Sequence, residues 1–201
     1  DFSNHTLVIP LPGLCLEWLI GINGWPMSRT TILAAEPHVG KTAMVAEITN
    51  WHRKLSGRGV VACTEGDKDS PVLRHSVLNY DIKAMEYRNM ATVEQWQSYL
   101  TQAAKRIMKL FAGDPRYTTP VNFGVDSMVG VLCNSKVDDI WDKGHASSNY
   151  ATEAKLVGDW IKTFSSKALA GNPFSFVGTS HIYLETASKA GMRSEEHTSE
   201  L

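Results

Sequence analysis

The chain has 201 residues, of which 43% are hydrophobic and 20% charged. This is ordinary composition for one globular domain, so disordered, collagen-like and disulfide-scaffold classes are excluded, and no apolar run reaches the roughly 18 residues a membrane span needs. The formal charge of −1 excludes a generally basic nucleic-acid binder and leaves a local basic groove open.

The chain begins Asp1-Phe2-Ser3-Asn4-His5, with neither an initiator methionine nor the basic start and apolar stretch of a secretory signal. A cytoplasmic chain whose true beginning is missing is the expectation. Cys15, Cys63 and Cys133 lie far apart, without metal-ligand spacing, and read as reduced structural thiols. Thr30 to Ala35 is a short apolar run rich in β-branched residues, followed by a turn and a helix-forming stretch from Lys41 to Leu55. After the turn Gly57-Arg58-Gly59 come a second strand candidate, Val60 to Thr64, and a weaker third, Ile82 to Tyr87. Trp96, Leu100, Ala103, Ile107 and Leu110 recur at helical spacing and predict a long helix from Val93 to Phe111, broken by Gly113-Asp114-Pro115. Val121 to Val125 and Phe174 to Thr179 are further buried-strand candidates, with an amphipathic helix, Ala151 to Ala170, between them. The polar stretch Asn134 to Tyr150 reads as a long connection, functional or mobile. Strands alternating with helices predict an α/β fold with a mainly parallel sheet. With no strand beyond Thr179, an unpaired sheet edge and aggregation are expected.

The tail Arg193 to Leu201 has no periodicity and is similar to the translation of a sequencing-library adapter, so it is expected to be an artefact beside a domain spanning residues 1–192. A natural acidic tail is the alternative. Without these residues 19 basic side chains stand against 18 acidic ones, and the charge becomes +1.

Ala35-Glu36-Pro37-His38-Val39-Gly40-Lys41-Thr42 has the length and ending of the Walker A pattern Gly-x-x-x-x-Gly-Lys-Ser/Thr and lies between a strand and a helix. In such a turn backbone N–H groups and the helix N-terminus surround a phosphate, the lysine reaches the β/γ oxygens and the threonine hydroxyl binds Mg²⁺. Ala35 replaces the first glycine, where a glycine can supply a positive φ. An ordinary loop that ends in Gly-Lys-Thr is the alternative. Asp126, ending the strand Val121 to Val125, is placed like a Walker B aspartate, and Glu65, after Val60 to Thr64, stands at another strand's carboxyl end, where parallel sheets bind ligands. Either acid is also a plausible turn or helix cap.

Together these residues resemble the ATPase core of the RecA recombinase family, and the segment from Thr179 to Thr186 with Ser188-Lys189 resembles most the UvsX-type recombinases of tailed phages. The approach Leu14 to Gly21 and Gly24-Trp25-Pro26-Met27-Ser28-Arg29, the phosphate turn, Thr64-Glu65 with Asp69-Ser70-Pro71, Val125-Asp126-Ser127, and Thr179 to Thr186 with Ser188-Lys189 carry the likeness in order and spacing. It covers about Leu11 to Met192. It implies a RecA-like P-loop NTPase core, incomplete at its C-terminal side, and an ATP- and Mg²⁺-dependent recombinase that forms a filament on single-stranded DNA and exchanges strands. It further implies that Glu65 activates the attacking water, that Lys41 neutralises phosphate charge, that Thr42 and Asp126 hold the metal, that Asp69 lies near the adenine and that His181 reads the γ-phosphate. A histidine that merely caps a strand end is the other reading of His181. DNA contacts are implied for Trp141 to Tyr150 and Glu185 to Met192, with Lys143, His145, Lys155 and Lys189 facing phosphates and Trp141 stacking on a base. Solvated cations and a tryptophan packed beneath a loop are the alternatives. Alanine first and proline third in the turn resemble DnaB-type hexameric helicases, a second possibility; a non-hydrolysing RecA-fold mediator is a third.

Overall fold

The computed structural model describes residues 8–9, 24–65, 86–112, 119–129, 131–145 and 151–182. Five strands form one parallel sheet: β3 (Thr30–Ala35), β4 (Arg58–Cys63), β5 (Glu86–Asn89), β6 (Val121–Asp126) and β7 (Phe174–His181), in the spatial order β3-β7-β6-β4-β5. A separate antiparallel pair joins β1 (Val8–Ile9) to β2 (Trp25–Pro26). The helices are α1 (Lys41–Lys54), α2 (Val93–Ala112), α3 (Asn134–Lys143) and α4 (Ala151–Phe164), the last running into a π-helical turn, Ser165–Leu169. This is an α/β architecture compatible with RecA-like and Rossmann-like folds.

Strand alternation divides the core in two. Val60 and Ala62, with Phe123, Val125, Phe174 and Phe176, face α2 and α4; Val61 and Val177 face α1 through Val45 and Ile48. β6 is buried along its whole length, as a strand covered by helices on both faces must be. On the α2/α4 side Trp160 stacks on Phe164 at 4.5 Å and meets Trp96 edge-on at 4.9 Å, while its indole N–H donates to Thr101 Oγ1 at 3.0 Å. Gly57, between α1 and β4, admits no Cβ because the carbonyl oxygens of His52 and Pro120 press on it.

The expected strands and helices form close to their predicted limits, with three corrections. The stretch from Asn134 is not a connection as far as Lys143 but the helix α3, closed by Gly144 at φ 75°. The predicted Ala151 to Ala170 helix keeps α geometry only to Phe164. The third strand is Glu86–Asn89, and the earlier part of its predicted range, 82–85, lies outside the described residues. Among the described residues β7 is paired on both sides, and the sheet's edge strands are β3 and β5. Cys63 and Cys133 are buried free thiols, as expected, and Cys15 lies outside the described residues. No described helix is long and apolar enough to cross a membrane.

Candidate functional site

The carboxyl ends of β3, β4, β6 and β7 meet at one edge of the sheet. Ala35 is the last residue of β3, paired with His181 of β7, and its φ is not positive, so the strand conformation accepts alanine where the pattern has glycine. Glu36 to Gly40 then form an exposed turn in which His38 (φ 64°) and Gly40 (φ 90°) take the left-handed conformation. Gly40 caps α1, whose first backbone bond runs from Met44 N–H to Gly40 O at 3.0 Å. The N–H groups of Lys41, Thr42 and Ala43 precede that bond, the orphan donors of a helix start.

Lys41 folds back over the turn. Its ammonium donates to Ala35 O at 3.1 Å and Glu36 O at 2.7 Å and lies 3.3 Å from His181 Nδ1. His181 Nε2 is 3.1 Å from Glu65 Oε1. An ammonium only donates, so His181 Nδ1 is the acceptor, and the imidazole proton sits on Nε2 and is donated to Glu65. The result is a directed chain, Lys41 to His181 to Glu65, reaching across three strand ends. Partial burial would raise the Glu65 carboxyl, but hydrogen bonds with Ser127 and with the His181 Nε2–H, and the nearby charge of Lys41, outweigh it and hold the group below its ordinary range.

Asp126 is 2% exposed and accepts a hydrogen bond from Thr179 Oγ1 at 2.6 Å. Its carbonyl accepts from Thr64 N–H at 2.8 Å, and the peptide that follows, Asp126 to Ser127, is cis. Thr64 Oγ1 donates to Ser127 O and accepts from Ser127 N–H, both at 2.8 Å, which fixes the end of β4 against the end of β6. Thr179 and Ser127 are site residues the sequence reading did not single out as such. The signal was a hydroxyl at or just beyond a buried strand's carboxyl end, visible only once the strand order is known. Among the described residues no group of three or more His, Cys, Asp or Glu is placed to hold a metal. Asp126 and Thr42 nonetheless offer a carboxylate and a hydroxyl, oxygen donors of the kind Mg²⁺ takes.

Of the expected site residues, Lys41 and Glu65 each contact His181, and Asp126 ends the strand between those of Glu65 and His181. Thr42 is half-buried in the first turn of α1, while Glu36, Pro37, His38 and Val39 are exposed. Asp69 and Glu185 to Met192 lie outside the described residues, as do positions 146–150 of the first expected DNA segment. Trp141 is 89% exposed on α3, not packed beneath a loop, and Lys143 is paired with Asp139 at 2.6 Å. No family model matches the chain, and no curated protein matches it.

Proposed function

We propose that the chain is the ATPase core of a RecA-type recombinase that binds ATP and Mg²⁺ at the Ala35 to Thr42 turn and assembles on single-stranded DNA. The carrying observation is the Lys41, His181 and Glu65 chain at the carboxyl ends of three parallel strands, beside a left-handed turn and a helix N-terminus. Bound ATP with Mg²⁺ supplies the scissile γ-phosphate bond and a cation to offset its charge. Lys41 exchanges its contacts with Ala35 O and Glu36 O for phosphate oxygens. Thr42 and Asp126 would hold the metal. Glu65, kept as a carboxylate, orients and deprotonates the attacking water. His181, released by Lys41, couples occupancy of the site to the chain beyond β7. The 89% exposed indole of Trp141, at the far end of α3 from Asn134, supports a base-stacking surface.

The test is ATP turnover with and without single-stranded DNA. Lys41→Ala and Glu65→Gln are each expected to lower the rate by about 10²–10³, and hydrolysis by Glu65→Gln at the unsubstituted rate would remove the water-activating role. The fit of Ala35 into β3 favours one second reading, a hexameric helicase core, because alanine there is the helicase-like feature of the turn. Unwinding of a forked duplex without strand exchange decides for it. Nucleotide binding without any turnover decides for a mediator.

A further inference from the structure

Away from the phosphate turn, a cavity of about 420 Å³ opens between the amino-terminal half of β4, the edge strand β5 and α2. Sheet register explains what lines it. Val60 pairs with Glu86 and Ala62 with Arg88, so Arg58, Val60, Glu86 and Arg88 share the parity that faces α2. From the helix, Tyr99, Arg106 and Leu110 stand on the stripe that hangs over this edge. Three guanidinium groups, from Arg58, Arg88 and Arg106, therefore surround one opening whose floor is apolar, through Val60, Ala103 and Ile107.

The charges around this opening are unequal. Glu86 is its single carboxylate, and that group is engaged by Tyr99, whose hydroxyl lies 3.4 Å from Glu86 Oε2 and 3.2 Å from Glu86 O. Burial and the Glu86 charge both raise the Tyr99 phenol, which keeps its proton and remains a donor. Arg88 lies over the Tyr99 ring at 5.4 Å, so its planar fork is oriented before any ligand arrives. Among the described residues no ion pair is formed by Arg58, Arg88 or Arg106.

From this arrangement we infer a second binding site, separate from the phosphate turn, for a small organic phosphate monoester with an apolar or aromatic body. Three cationic forks against one carboxylate leave two positive charges, which match a dianionic monoester better than a monoanionic carboxylate or phosphodiester. The volume lies within the range of small-molecule pockets, and the apolar floor accepts the ligand's body. Oxyanion recognition by the rim and desolvation of the floor give affinity only together.

The probe is 2-naphthyl phosphate, titrated calorimetrically into the full chain at neutral pH. Binding is expected, with affinity at least tenfold weaker for 2-naphthol, which lacks the charge, and for inorganic phosphate, which lacks the body. Arg58→Gln and Arg106→Gln each weaken it at least tenfold while the thermal transition stays in place, as expected for exposed side chains. Lys41→Ala leaves it unchanged, so the site stands or falls separately from the ATP reading. Undiminished binding by both arginine variants, loss in Lys41→Ala, or equal binding of 2-naphthol overturns the inference.

Discussion

The side chain that organises the sheet's carboxyl edge is His181. It accepts from an ammonium on one nitrogen and donates to a carboxylate from the other, so its tautomer is fixed by what flanks it. A proton added at Nδ1 sets a cation against Lys41 and breaks the chain at its middle. Nitrogen NMR of the imidazole near neutral pH is therefore expected to show the Nε2–H tautomer, and Lys41→Ala should weaken that preference; an Nδ1–H signature would refute the chain of contacts. The same geometry sets the Glu65 carboxyl. Removing the imidazole in His181→Ala takes away a hydrogen bond that lowers it, so its titration should move up toward the ordinary value. None of this follows from residue spacing, because His181 and Lys41 are 140 positions apart and meet only when β7 pairs with β3.

Among the elements, α3 has the least apolar support and depends most on its ends. Its Val137, Ile140 and Trp141 are all exposed, so burial does little to hold it. Instead the Asn134 N–H donates to the Glu94 carboxylate, at 3.1 and 3.0 Å to its two oxygens, and buried Lys136 pairs with Glu153 at 2.8 Å. Glu94, borrowed from α2, stands where a capping side chain would, since Cys133 at the N-cap makes no side-chain cap. Glu94→Ala should cost α3 about 1 kcal/mol, read as faster amide exchange over residues 134–143 with β4 and β6 unaffected; unchanged exchange there would show that the cap does not hold the helix. This dependence on distant partners is also why the helix was illegible in sequence, where Asp138, Asp139 and Asp142 among few apolar residues look like a connection. The strands β4, β6 and β7 were legible for the opposite reason: each is a compact apolar run, and burial on both faces needs no partner to be recognised, while β3 was legible as a short run rich in β-branched residues before a turn. β1 and β2, two residues each, carry too little pattern to be read. At the site, Lys41 was legible from the Gly-Lys-Thr ending of the turn, and Glu65 and Asp126 as strand-end residues, whereas Thr179 and Ser127 were not, since their roles arise from strand order.

At the scale of the whole molecule, one buried polar network joins the α1 layer to the centre of the sheet. His52 Nδ1 donates to Ile48 O at 2.7 Å, and its Nε2 is 3.0 Å from the Ser175 hydroxyl on β7. Ser175 lies 2.9 Å from Asn122 Oδ1 on β6, and Asn122 donates back to Thr49 of α1 at 2.9 Å. With Nδ1 carrying the proton, neutral His52 leaves Nε2 as an acceptor. The single Ser175 proton then serves either His52 or Asn122, a tension that protonation of Nε2 would relieve. Burial works against that protonation and prevails, since the imidazole has no exposed surface and desolvation pulls its pKa from 6.5 down to about 4 despite the Ile48 hydrogen bond. A folded-state value below the unfolded one means that the unfolded chain takes up the proton first as pH falls. Stability from this group is therefore fully present above pH 6.5 and is lost progressively toward pH 4, by roughly 3 kcal/mol at 1.36 kcal/mol per unit. Denaturant unfolding at pH 7 and pH 4 should show that loss. His52→Gln should be less stable at pH 7, because the packing and the hydrogen bonds change, yet lose less between the two values. An equal acid loss in His52→Gln would place the acid sensitivity elsewhere, in the carboxylates held by hydrogen bonds at the sheet's carboxyl edge. The Glu65 carboxyl lies below its ordinary range, so the histidine contribution is distinguished by its onset near pH 6.5, where a glutamate remains charged in the unfolded chain as well.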